Sequence, residues 1–90
     1  MLRAIEEAEN ALTSYREGQA RLDRLMDQAR ESARAADLAR VRYREGLSDF
    51  LSLLDAERTQ LAAEDAVARG EATVFTSVVG IYEAFGGPGN

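Results

Sequence analysis

Cysteine, histidine, lysine and tryptophan are all absent from this 90-residue chain, and proline occurs once, at Pro88. Without cysteine there is no disulfide framework, no thiolate nucleophile and no cysteine-based zinc site. Without histidine the usual metal ligand and the usual general base near neutral pH are gone. Without lysine, Schiff-base and P-loop chemistry are excluded as well. All eleven basic residues are therefore Arg. Carboxylates are plentiful, but the Glu-x-x-His pairing that marks helical metal sites is missing. The residues present predict no enzyme, with no catalytic residue, no metal site and no cofactor.

Large anchors are scarce too. Three Phe and three Tyr supply the aromatics, and sixteen alanines inflate the 46% apolar share while filling little core volume. No run approaches the ~18 apolar residues of a membrane span. The most apolar segment, from Thr73 to Phe85, is interrupted by Ser77, Gly80 and Glu83. The opening MLRAIEEAEN is acidic and has no apolar h-region, so no signal peptide is expected within it. The net charge of −5 is uneven: residues 1–45 carry nine Arg and nine acids (9 − 9 = 0), residues 46–90 two Arg and seven acids (2 − 7 = −5). An acidic second half argues against nucleic acid as the main partner.

What is present is helical on both sides of one break. Gly46 is the one residue near the midpoint that welcomes φ > 0, which suits the C′ position of a helix ending at Arg44 or Glu45. Ser48 and Asp49 follow as N-cap candidates, and an apolar-periodic run begins directly after them. A gap this short between long helices is enough for an antiparallel αα-hairpin. The predicted fold is therefore all-α, a long coiled-coil-like antiparallel helical hairpin. Its first helix spans 2–45, its tip 46–48, its second helix 49–85, and an irregular tail 86–90 follows Gly86 and Pro88. At ~1.5 Å rise per residue, an arm of some forty residues spans roughly 60–65 Å.

On the first arm, one heptad line runs through Ile5, Leu12, Gln19, Met26, Ala33 and Arg40, and another through Ala8, Tyr15, Leu22, Ala29, Ala36 and Tyr43. Alanines crowd the half nearer the tip, which predicts tighter packing there. Glu17/Arg21, Asp27/Arg30, Glu31/Arg34 and Asp37/Arg40 stand at helical spacing for ion pairs on a solvated face. Arg34, Arg40, Arg42 and Arg44 concentrate positive charge near the tip.

The second arm carries two apolar stripes. One runs through Leu53, Ala56, Ala63, Val67, Gly70, Val74, Ile81 and Ala84, the other through Leu54, Leu61, Ala68, Ala72, Phe75, Val79 and Tyr82. Asp65 and Arg69 stand at i,i+4 spacing on its polar edge. A helix that meets one partner needs a single stripe, so two imply packing on both flanks, with a further helix pair covering the second.

The run Arg42-Tyr43-x-x-Gly46-x-x-Asp49-Phe50-Leu51-x-x-Leu54-Asp55-Ala56-Glu57-Arg58-x-x-Leu61 resembles the final helical hairpin of TolC-like outer-membrane efflux proteins. Glu6, Asn10, Ala11 and Leu12 are similar to that family's helix start, and the closing Ile81-Tyr82-Glu83-Ala84-Phe85-Gly86-Gly87 to its finish. The resemblance implies the C-terminal periplasmic hairpin of an outer-membrane efflux channel. Three such chains form a barrel continued by an α-helical tunnel, and the hairpin tips meet the periplasmic adaptor of a tripartite pump. Barrel strands and the family's first repeat have no counterpart in these 90 residues, so a segment of a channel is implied. Residue by residue, Gly46, Leu47 and Ser48 match the adaptor-docking tip. Tyr43 matches a latch tyrosine of the closed tunnel end, and Asp55 an aspartate at the tunnel constriction. Ser52 stands where many members have a second aspartate, which thins any carboxylate ring; Asp49 stands where Ser is common and keeps the capping role. The residues alone leave a second possibility open, a free-standing coiled-coil oligomerisation module without a transport role.

Overall fold

A computed structural model describes residues 2–86. Two helices account for most of them: α1 over Leu2–Arg44 and α2 over Phe50–Ala84. Neither helix contains proline, and most of their residues are strong helix formers such as Ala, Leu, Glu and Arg, so length comes without a break. Residues 87–90, where most of the expected tail falls, lie outside the described residues.

The chain divides into two packing units, each pairing a piece of α1 with a piece of α2. The turn unit takes Arg24–Ala68, and the terminal unit takes Met1–Asp23 with Arg69–Asn90.

In the turn unit the seam is built from small side chains. Ala36 is fully buried, Ala29, Ala33 and Ala39 of α1 are half-buried, and so are Leu53, Ala56, Ala63 and Val67 of α2. Side-chain size at a contact sets how closely two helices approach, and alanine allows a short separation. On the solvent side Arg30 pairs with Asp27, Arg34 with Glu31 at 3.3 Å, and Arg40 with Asp37 at 2.7 Å. These i,i+3 pairs are exposed and support the helix by a few tenths of a kcal/mol each at most.

In the terminal unit Gly18 is buried. A Cβ built on it would stand 3.4 Å from Val74 Cγ2 of α2, so the two backbones meet closely at this level. Close approach is therefore not confined to the alanine-rich half. Tyr15 packs nearby and its hydroxyl accepts a hydrogen bond from Gln19 Nε2 at 3.1 Å.

The buried face of α1 differs in part from the periodicity reading. Of the line Ala8, Tyr15, Leu22, Ala29, Ala36 and Tyr43 all but Tyr43 turn inward, and of the line Ile5, Leu12, Gln19, Met26, Ala33 and Arg40 all but Ile5 and Met26 do. Ala11, Gly18, Leu25, Ser32 and Ala39 complete the seam in their place. Ala11, Gly18, Ser32 and Ala39 are small, and turning them inward lets the helices close up at those levels. On α2 the stripe from Leu53 to Ala84 faces α1 and is half-buried throughout. The stripe Leu54, Leu61, Ala68, Ala72, Phe75, Val79 and Tyr82 is exposed throughout. Leu61 keeps 66% and Phe75 69% of its surface in solvent, which is far more than a partnered seam leaves open. No described helix is long and apolar enough to cross a membrane.

Candidate functional site

The connection between α1 and α2 is closed by backbone hydrogen bonds of a Schellman motif. Gly46 N donates to the Tyr43 carbonyl at 3.0 Å, and Leu47 N donates to the Arg42 carbonyl at 2.8 Å. This satisfies carbonyls that the end of α1 would otherwise leave bare. Gly46 takes φ +75°, a left-handed conformation in which a Cβ is strained.

Asp49 caps α2. Its Oδ1 accepts from Ser52 N at 2.9 Å, three residues into the helix, while Leu53 N donates to the Asp49 carbonyl at 3.4 Å. Hydrogen bonds from the Ser52 side chain and backbone hold the Asp49 carboxyl below its ordinary range. Of the two capping candidates, Asp49 does the capping. The Ser48 hydroxyl oxygen instead lies buried without a hydrogen-bond partner in the chain.

Gly46, Leu47 and Ser48 thus sit side by side in the turn, with Leu47 64% exposed. Phe50 and Leu51 begin α2 with their side chains exposed beside it. Tyr43 is tied to this group through Phe50: the two rings meet edge to face, with centroids 5.8 Å apart at 61°. Asp55 lies further along α2, exposed, and its backbone carbonyl accepts from Thr59 Oγ1 at 3.0 Å. The turn therefore gathers Tyr43, Gly46, Leu47 and Ser48 within a few residues, while Asp55 stands apart on the helix.

Two features escaped the periodicity reading. Phe50 had no assigned role, although an aromatic at N1 facing a tyrosine in the last turn of α1 is legible once both helix ends are placed. Arg40 reaches across to α2, with Nε 3.1 Å from Glu57 Oε2 and Nη2 3.2 Å from Gln60 Oε1. The available signal was a charged residue at a heptad position among alanines.

Four hydroxyls of α2 are turned back onto their own helix. Thr59, Thr73 and Thr76, together with Ser77, donate to carbonyls four residues earlier. Among the described residues no group of three or more Asp or Glu is placed to hold a metal ion. The chemistry on offer is contact: an apolar tip and an uncovered apolar stripe on α2.

No protein-family model matches the chain. Among curated proteins it is 31% identical over 87 residues to the pyoverdine export outer membrane protein OpmQ of Pseudomonas aeruginosa, covering 97% of the chain and 18% of the relative. It is 35% identical over 88 residues to the OpmQ protein of Pseudomonas putida, again over 97% of the chain and 18% of the relative. Among solved structures it is similar to the outer-membrane channel OprN, with a TM-score of 0.85 and 50% identity over 96% of this chain and 19% of that one. The chain thus spans less than a fifth of the length of the proteins it matches. With two long antiparallel helices, a short capped turn and these relatives, the chain belongs to the TolC-like outer-membrane efflux protein family, of which it carries a helical hairpin.

Proposed function

We propose that the chain is the C-terminal periplasmic hairpin of an outer-membrane efflux channel, a structural segment with no catalytic role. In this reading α1 and α2 form part of a tunnel wall in a trimeric assembly. The turn Gly46-Leu47-Ser48 docks the periplasmic adaptor of a tripartite pump. The observation that carries the reading is the stripe on α2 that α1 leaves bare, above all Leu61, Phe75 and Tyr82. Exposed apolar side chains repeated along a helix mark a surface meant for another helix. The exposed Leu47 at the turn supports docking by the same argument. Tyr43 is assigned to the latch of the tunnel end and Asp55 to its constriction, where symmetry-related carboxylates repel one another and attract cations. The proposal names the channel class and no solute.

In the complete channel, Leu47→Asp should abolish adaptor binding while leaving helix content unchanged; undiminished binding would refute the tip assignment. For the wall, helicity and solution mass of the 90-residue chain should both rise with concentration. A fully helical monomer at micromolar concentration would contradict the need for neighbours. The same bare stripe also suits a free-standing coiled-coil oligomerisation module. That reading predicts self-association of the chain, with no loss of adaptor binding in any tip variant.

A further inference from the structure

The terminal unit carries a ridge on one flank of α2 and a groove on the other. The ridge is Phe75, Val79 and Tyr82, exposed on the side that α1 leaves bare. The groove has a volume of about 530 Å³ and runs beside the seam, with Ala11, Ser14 and Gly18 on one wall and Thr73, Ser77 and Gly80 on the other. Phe75 is two residues beyond Thr73 and so points to the far side of the helix from it. The groove walls are small side chains, and a Cβ added at Gly80 would meet nothing within 4 Å. Thr73 and Ser77 donate their hydroxyl protons to carbonyls of their own helix, at 3.1 Å each. An apolar side chain laid over them therefore strands no donor. Wide side chains on a ridge and small ones along a groove are the two halves of a helix packing.

Charge supports one alignment of such halves. Gly18 meets Val74 across the antiparallel seam, which puts Arg21 at the level of Glu71. Arg21 lines the groove, and Glu71 stands one turn before Phe75. Neither has an ion-pair partner among the described residues. A second copy lying parallel and level, with its ridge in the groove, brings its Glu71 to the height of Arg21.

We propose that a second copy of this chain docks on the terminal unit with its Phe75, Val79 and Tyr82 ridge in the groove of the first, and its Glu71 beside Arg21. The contact is heterologous, because each copy gives a ridge with one face and a groove with another. A dimer built this way keeps one free ridge and one free groove, so association continues beyond two copies. The inference concerns the 90-residue chain itself and goes beyond the channel reading by naming both mating faces.

The test follows the mass of the 90-residue chain by sedimentation at rising concentration. The parent should pass from monomer to dimer and on to larger species. Gly80→Leu fills the groove from a Cβ in open space, and Phe75→Gln with Tyr82→Gln removes the ridge at exposed positions. Each of these variants alone should stay monomeric. Mixed in equal amounts they should form a dimer and stop there, since one intact ridge then meets one intact groove. Arg21→Glu sets two carboxylates against each other and should weaken association several-fold; adding Glu71→Arg should recover it. Self-association of Gly80→Leu at the parent's level would mean that ridge meets ridge, and would overturn the proposal. So would a parent still monomeric at millimolar concentration, or a mixture in which the two variants ignore each other. Equal association of the parent and Arg21→Glu would refute the level alignment. The channel reading is judged separately, by adaptor binding of Leu47→Asp in the complete channel.

Discussion

Tyr43 in the last turn of α1 and Phe50 at the start of α2 meet edge to face across the turn, 5.8 Å between centroids. The contact spans the Schellman bonds and the Asp49 cap, so it joins the two helix ends directly rather than through the backbone. Both rings remain partly exposed, which puts the pair toward the weak end of aromatic contacts, about 0.5–1 kcal/mol. Phe50→Ala should lower stability by about that amount. A double-mutant cycle with Tyr43→Ala should return a coupling of similar size; a coupling near zero in chemical unfolding would deny that the rings cooperate.

Gly46→Ala places a Cβ at φ +75° in otherwise open space, so its cost is conformational alone. The expected loss is about 1–2 kcal/mol, measured by thermal or denaturant unfolding. Gly46→Asn should cost less, because asparagine tolerates the left-handed region.

Gly18→Ala should act in the opposite sense. The new methyl meets Val74 Cγ2 at 3.4 Å, an ordinary contact, and sits in the interior of α1. Alanine is favoured over glycine there by about 1 kcal/mol, so the chain should gain up to that much. A loss measured by thermal unfolding would show that the helices have no room to accept one more methyl group.

Asp49 gives the turn a pH dependence of known sign. Its carboxyl sits below the ordinary value of 3.8 in the folded chain because the Ser52 hydrogen bonds favour the charged form. The unfolded chain therefore binds the proton more readily, and stability rises with pH through this window. The contribution is fully present above the ordinary value and is lost as pH falls through the lowered one. Asp49→Asn retains a capping oxygen but should flatten this acid limb in a pH series of thermal midpoints. An unchanged limb would assign it to other carboxylates.

Much of this architecture is written in the sequence as period and punctuation. Gly46 and Asp49 mark where one helix stops and the next begins, because each bears a backbone requirement that few other residues meet. The inward stripe of α2 is equally plain, since Leu53, Val67, Val74 and Ile81 are large and regularly spaced. The buried face of α1 was harder to read. Its seam is filled by Ala11, Gly18, Ser32 and Ala39, whose hydrophobicity is too slight to register against Ile5 or Met26. Large residues on the same face, Tyr15, Leu22 and Leu25, alternate with these small ones, which blurs the apolar period. Of the turn residues, Gly46, Leu47 and Ser48 are adjacent by covalent connection, but the ring contact of Tyr43 with Phe50 depends on how sharply the chain reverses. The Arg40 link to Glu57 and Gln60 depends on the rotation of both helices, which the alanine pattern leaves undetermined.

At the turn, the amides of Glu45, Gly46 and Leu47 are bonded to carbonyls of α1, and that of Ser52 to the Asp49 carboxylate. The reversal of the chain is thus held by its own backbone and by the Asp49 cap, with no call on the side chain of Leu47. Leu47 and Leu51 can therefore be exchanged for other exposed side chains while the bend beneath keeps its shape.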